Sequence, residues 1–150
     1  NILIMNSPMG AFSHNIIKKN LPFKKIHIAN QSKEEIKVFK KKHKIKNITT
    51  HLLRTLKLPK VGKIDELISF NDIGYVKNIP EFVNSVRKTL NKKGKFCFYI
   101  KHHVLDVAPN ALTIDNKKEI ISLFKKEKLK VNYFIKKSFF TTEIFIYGKK

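Results

Sequence analysis

Acidic residues are scarce in this chain. Eleven Asp and Glu stand against 32 Lys and Arg in 150 residues, a formal net charge of +21. An AT-rich codon bias explains abundant Lys, Asn, Ile and Phe, but Glu has AT-rich codons too, so drift does not explain the imbalance. A field this positive attracts polyanions. Arginine is nearly missing, with Arg54 and Arg87 as its two instances. Base reading usually employs Arg forks, whereas Lys acts as a point charge toward phosphate, so a nucleic-acid partner would be held by its backbone with little sequence selectivity. A solvated lysine surface with no polyanion partner is the competing reading. The single Cys97 excludes an internal disulfide framework and suits a reducing intracellular compartment, cytoplasm or mitochondrion. No apolar run approaches the roughly 20 residues that span a bilayer, so no membrane partner is expected. No signal-peptide pattern is present, but the chain opens on Asn1, which leaves targeting open and makes a fragment of a longer protein one reading of it. Repeats and low-complexity linkers are missing too. The expectation is one domain over 1–150, with 42% apolar residues for its core.

What is present is an alternation of short apolar runs with amphipathic segments. Ile2–Met5 reads as a buried strand, Phe12–Lys19 as a short helix and Lys25–Ala29 as a second strand. Ser32 and Glu35 form a capping-box pattern opening a helix over "KEEIKVFKKKH", with Ile36, Phe39 and the adjacent Val38 expected inward. Lys46–Thr50 is a third strand, "LLRTLKLPKVGK" is too broken to assign, and Glu66–Phe70 is a fourth strand followed by a loop, Asn71 to Asn78. "PEFVNSVRKTL" is the clearest helix, with Pro80 at its start, Phe82, Val83, Val86 and Leu90 at helical spacing, and Gly94 just past its end. Lys95–Lys101, "KFCFYIK", is apolar on both faces, which suits a central parallel strand. "NKKEIISLFKKEKL" is a last helix with Ile120, Ile121, Phe124 and Leu129 inward, and "KVNYFIKKSFFTTEIFIYGKK" makes an antiparallel strand pair. The order implies an α/β fold, a mostly parallel sheet with an antiparallel end and helices on both faces.

This order resembles the class I S-adenosylmethionine-dependent methyltransferases over nearly the whole chain. "ILIMNSPMGAFS" is similar to that family's first motif, a strand, a turn of the type G-x-G-x-G and a helix. "IANQS" falls where members end strand two on an acidic residue, and "LNKKGK" resembles the glycine turn before strand five. The resemblance implies a Rossmann-like methyltransferase fold with about seven strands and an antiparallel last strand. It implies cofactor contacts at Asn6, Pro8, Gly10, Asn30, Asn71 and Asp72.

Several of these positions depart from the family's pattern, so the chain resembles a degenerate member. Glycines at such a loop permit left-handed torsions and close backbone approach to a ligand. Asn6 stands at the first glycine position and tolerates left-handed torsions better than most residues. Pro8 stands at the second, locking φ and deleting an N–H donor. Gly10 keeps the third. Asn30 replaces the ribose-binding carboxylate and brings one acceptor oxygen without charge. The acid expected after strand three has no counterpart at Thr50, His51 or Leu52. Asn71 and Asp72 remain as a polar pair over the pocket.

Other candidates have plainer readings. His102 and His103 are adjacent on an extended segment and point opposite ways, a poor metal pair, so no metal is expected. His14 and His27 read as surface or half-buried residues. Cys97, between Phe96 and Phe98, reads as a core thiol. Phe96, Phe98, Tyr99, Phe134, Phe139, Phe140 and Phe145 fall on strand segments, and core packing is the expectation for most of them, with exposed base-stacking rings as the alternative.

Two classes of function follow. One is a non-catalytic binding scaffold, its partner RNA or a ribonucleoprotein held by lysine-rich faces, or protein partners as for the anamorsin-type amino-terminal domains of iron–sulfur assembly. The other is an active methyltransferase using S-adenosylmethionine on RNA or a small substrate. Its donor is already activated, so catalysis would be mostly alignment and no catalytic residue is identified. The cofactor is expected only in this second class.

Overall fold

The computed structural model describes residues 1–6, 11–19, 22–43, 46–53, 57–70, 76, 78–103, 117–139 and 141–150. Its elements run β1 (Ile2–Met5), α1 (Ala11–Lys18), β2 (Ile26–Asn30), α2 (Lys33–Lys42), β3 (Ile48–Leu52), β4 (Ile64–Phe70), α3 (Ile79–Thr89), β5 (Leu90–His103), α4 (Lys117–Lys126), β6 (Lys130–Lys137) and β7 (Thr141–Lys149). All seven strands join one sheet in the order β3-β2-β1-β4-β5-β7-β6. β1 to β5 are mutually parallel, and β7 runs antiparallel to both β5 and β6. The sheet therefore has the mostly parallel layout with a reversed last strand that the sequence led us to expect.

The apolar pattern explains which strand lies in the middle. All four residues of β1 are fully buried, because a parallel strand covered on both faces has no side to give to water. Leu3 and Met5 face the larger core with Leu67, Phe82, Val83, Val86, Phe96, Phe98, Phe124 and Ile144, under α3 and α4. Ile2 and Ile4 face the smaller core with Ile16, Ile26, Ile28 and Phe39, under α1 and α2. α2 and α3 start where the sequence reading put them. The Ser32 hydroxyl accepts from the Glu35 N–H at 3.1 Å, and the Asn78 side chain accepts from the Glu81 N–H at 3.0 Å ahead of Pro80.

Three details differ from the sequence reading, and one segment it left unassigned is now placed. Val38 is exposed, since Ile36 and Phe39 set the inward stripe of α2 and a residue two places after Ile36 lies far around the helix. The unassigned segment before β4 contains no helix over residues 57–63; Leu58 and Val61 pack on the larger core from an extended path. β5 starts at Leu90, directly where α3 ends, because Leu90 both caps the helix through its N–H to Val86 and pairs with Ile64. Gly94 is thus inside the strand at a register shift, not a helix cap, and a Cβ there would meet the Asn91 backbone at 3.1 Å. Last, β5 is covered by helices on one face, where Phe96, Phe98 and Ile100 are buried, while Cys97 and Tyr99 on the other face are half-buried.

Candidate functional site

In an open α/β sheet the ligand crevice lies beyond the carboxyl ends of the strands, where the strand order reverses. Here the order reverses at β1, whose neighbours are β2 and β4. The residue beyond β1 is Asn6, and β2 ends on Asn30. The fold brings these two sequence-predicted residues together: the Asn6 N–H donates to the Ala29 carbonyl at 2.8 Å, and the Asn6 Oδ1 accepts from the Gln31 N–H at 3.2 Å. Asn6 has φ 46°, the left-handed region that glycine serves in such turns. Pro8, Gly10, Asn71 and Asp72 lie outside the described residues.

Asn30 is held by three neighbours. Its Oδ1 accepts from the Ser32 N–H at 2.8 Å, its Nδ2 donates to the Glu35 carboxylate at 2.5 Å, and its carbonyl accepts from the Leu53 N–H at 2.8 Å. The capping box is therefore only half as expected. Ser32 caps Glu35, but the return bond to the Ser32 N–H comes from Asn30, and Glu35 turns to the Asn30 amide instead. The sequence signal for this was present, an Asn two residues before the Ser of a capping pattern, where an Asx turn competes for the same N–H.

The structure also pairs histidines that the sequence reading left separate. His27 Nδ1 lies 3.0 Å from His51 Nε2, and His14 Nδ1 lies 3.1 Å from His43 Nε2. Each pair is held by one shared proton, so one ring donates and the other accepts. His27 is 3% exposed, a correction to its expected surface or half-buried place. Burial first, then His51 and Lys25, lowers its pKa to about 4. Burial and Lys25 lower His51, and burial, His14 and Lys42 lower His43. Pairing of His27 with His51 requires the β2–β3 register, Ala29 against His51 and His27 against Thr49, which no sequence motif announces. Among the described residues no group of three or more His, Cys, Asp and Glu is placed to hold a metal. No helix among them is long and apolar enough to cross a membrane.

Two expectations for aromatic and sulfur side chains change. Phe96 and Phe98 are core residues as expected, but Tyr99 and Phe145 are half-buried, and Phe134 and Phe139 are exposed. Cys97 points away from the larger core, and partial burial pushes its thiol pKa up, which makes it a poor nucleophile. Phe139 lies in the turn between β6 and β7. Phe140 lies outside the described residues.

No family model matches the chain, and no curated protein does. Solved structures do. A S-adenosylmethionine-dependent methyltransferase from Mesorhizobium loti superposes with a TM-score of 0.78 at 10% identity, over 100% of this chain and 90% of that one. The N-methyltransferase NodS from Bradyrhizobium japonicum gives 0.76 at 14% identity, over 100% and 85%. Phosphoethanolamine N-methyltransferase 2 from Haemonchus contortus, in complex with S-adenosyl-L-methionine, gives 0.75 at 13%, over 99% of this chain and 48% of that one. The chain has the class I S-adenosylmethionine-dependent methyltransferase fold.

Proposed function

We propose that this chain is a methyltransferase-fold domain that does not methylate and works as a binding scaffold. The observation that carries the reading is Asn30. A ribose diol at the end of β2 needs acceptors for two hydroxyl protons, and the Asn30 Oδ1, which already takes the Ser32 N–H, has one lone pair left and no charge. Its amide nitrogen is a donor engaged by Glu35. The described residues here fit S-adenosylmethionine poorly. Pro8, which removes an N–H from the loop after β1, supports the same reading. The partner of such a scaffold is polyanionic, in keeping with the +21 charge, and RNA or a ribonucleoprotein is the partner class we assign to it. An iron–sulfur assembly role of the anamorsin type has no comparable support in the charge.

A second reading, an active methyltransferase on RNA or a small substrate, is favoured by one observation. Asn6 adopts the left-handed torsion that a working loop requires at that position. Calorimetric titration with S-adenosylmethionine and S-adenosylhomocysteine decides between them. The scaffold reading expects no heat of binding up to millimolar cofactor from folded protein, and micromolar affinity overturns it in favour of the enzyme.

A further inference from the structure

Among the described residues, one half of the sheet carries helices on a single face. On the side of α1 and α2, the strands β4, β5, β7 and β6 present their side chains in rows fixed by the register. The first row across the strands is Glu66, Lys95, Lys149 and Lys130. The second is Ile68, Cys97, Tyr147 and Asn132, and the third is Phe70, Tyr99, Phe145 and Phe134. Beyond it stand Lys101, Glu143 and Lys136. Ile68 and Phe70 border the smaller core, but Cys97, Tyr99, Phe145, Tyr147 and Phe134 belong to neither core among the described residues.

The third row is a continuous line of rings. The centroid spacings are 6.0 Å from Phe70 to Tyr99, 5.0 Å from Tyr99 to Phe145 and 6.1 Å from Phe145 to Phe134. Phe134 on the edge strand β6 is 55% exposed and Tyr147 on the adjacent β7 is 43% exposed. Next to this line the first two rows enclose an open hollow of about 520 Å³, lined in part by Glu66, Lys95, Cys97, Asn132, Tyr147 and Lys149. All five lysines of the face are exposed, and the hollow and rings lie between Lys95, Lys130 and Lys149 on one side and Lys101 and Lys136 on the other.

We propose that this open face binds single-stranded RNA. Single-stranded bases stack on individual exposed aromatic rings regardless of sequence, here rings tilted 44° to 67° to one another along the row, and a backbone beside them is neutralised by ammonium groups, the two requirements of a single-strand platform. The rows supply both in one place. A duplex keeps its base faces stacked on one another and out of reach of these rings, so duplex is not the fit. The lysines outnumber the carboxylates Glu66 and Glu143, which excludes an acid-poor second copy of this chain as the matching surface. Those carboxylates and Asn132 supply acceptors for 2′-hydroxyl protons, which DNA lacks. The inference deepens the scaffold reading in its choice of partner but needs nothing of the β1–β2 crevice, so an active cofactor site would leave it standing.

The test uses the full chain and a fluorescein-labelled ten-nucleotide single-stranded RNA followed by anisotropy. Phe134→Ala with Tyr147→Ala removes two exposed rings, and affinity is expected to fall tenfold or more with the melting curve kept. Lys130→Gln with Lys149→Gln is expected to flatten the log–log salt dependence by about 1.4, from about 0.7 per neutralised phosphate. Ultraviolet crosslinking on the wild-type chain, read by mass spectrometry, is expected on peptides of β6 and β7 and does not depend on any variant folding. The proposal is overturned by loss under twofold in the ring variant, or by equal loss on Lys40→Ala, Lys41→Ala and Lys42→Ala in α2. Crosslinks confined to α2, equal affinity for DNA of the same sequence, or preference for phosphatidylserine vesicles over RNA also overturn it.

Discussion

Mild acid should destabilise this protein through His27 before its carboxylates protonate fully. The ring is buried on β2, shares a proton with His51, and its pKa is lowered to about 4 from 6.5. Above pH 6.5 the ring is neutral in both folded and unfolded chains, and its contribution is pH-independent. Between 6.5 and 4 the unfolded chain takes up a proton that the folded one refuses, so stability falls as pH falls. Two and a half pKa units at 1.36 kcal/mol each set the full loss at about 3 kcal/mol, with about 2 kcal/mol gone by pH 5. In urea titrations that is a midpoint lowered by about 1 M between pH 7 and 5. Carboxylates titrate nearby, so the quantity to read is the difference between wild type and His27→Leu. The variant should keep only a shallow slope from His51, whose pKa is lowered by its own burial and Lys25. Equal slopes in the two proteins would refute the reasoning.

Gly148→Ala tests the packing of the reversed strand. A Cβ there would lie 1.9 Å from the Lys130 carbonyl oxygen and 2.8 Å from the Phe96 ring, so β6 must move away from β7, and we expect a loss of about 3 kcal/mol or more in denaturant unfolding. Asn30→Asp introduces the carboxylate that the family's pattern has, but sets it against Glu35, so stability should fall by about 1 kcal/mol above pH 6. Adding Glu35→Gln, whose amide can donate to Asp at position 30, should restore it; a melting temperature that stays down in the double variant would show that the Asn30–Glu35 bond is not what holds this turn.

Much of the fold was legible because it is written in local chemistry. The Ser32 cap and the Pro80 helix start are short-range, and so is the helical spacing of Phe82, Val83 and Val86. The all-apolar run Ile2–Met5 reads as a two-faced central strand because nothing in it tolerates water. The crevice residues Asn6 and Asn30 were legible as positions, since each directly follows or ends an apolar run. Their bonds were not, because Ser32 N–H has two possible partners and only the placement of α2 on β2 selects Asn30 over Glu35.

The sequence by itself determined the order of elements, the excess of lysine and which residues alternate along each strand. It did not determine which side of β5 is covered. Period-two alternation separates Phe96 and Phe98 from Cys97 and Tyr99, yet both sets are apolar, so the pattern is satisfied whichever way helices pack. The tertiary structure decided it by laying α3 and α4, with Phe82 and Phe124, over Phe96 and Phe98 and confining α1 and α2 to the β1–β2 side. The ring row of Tyr99, Phe145 and Phe134 and the pair of His27 with His51 exist only through strand register, a long-range property that a one-residue slip would erase.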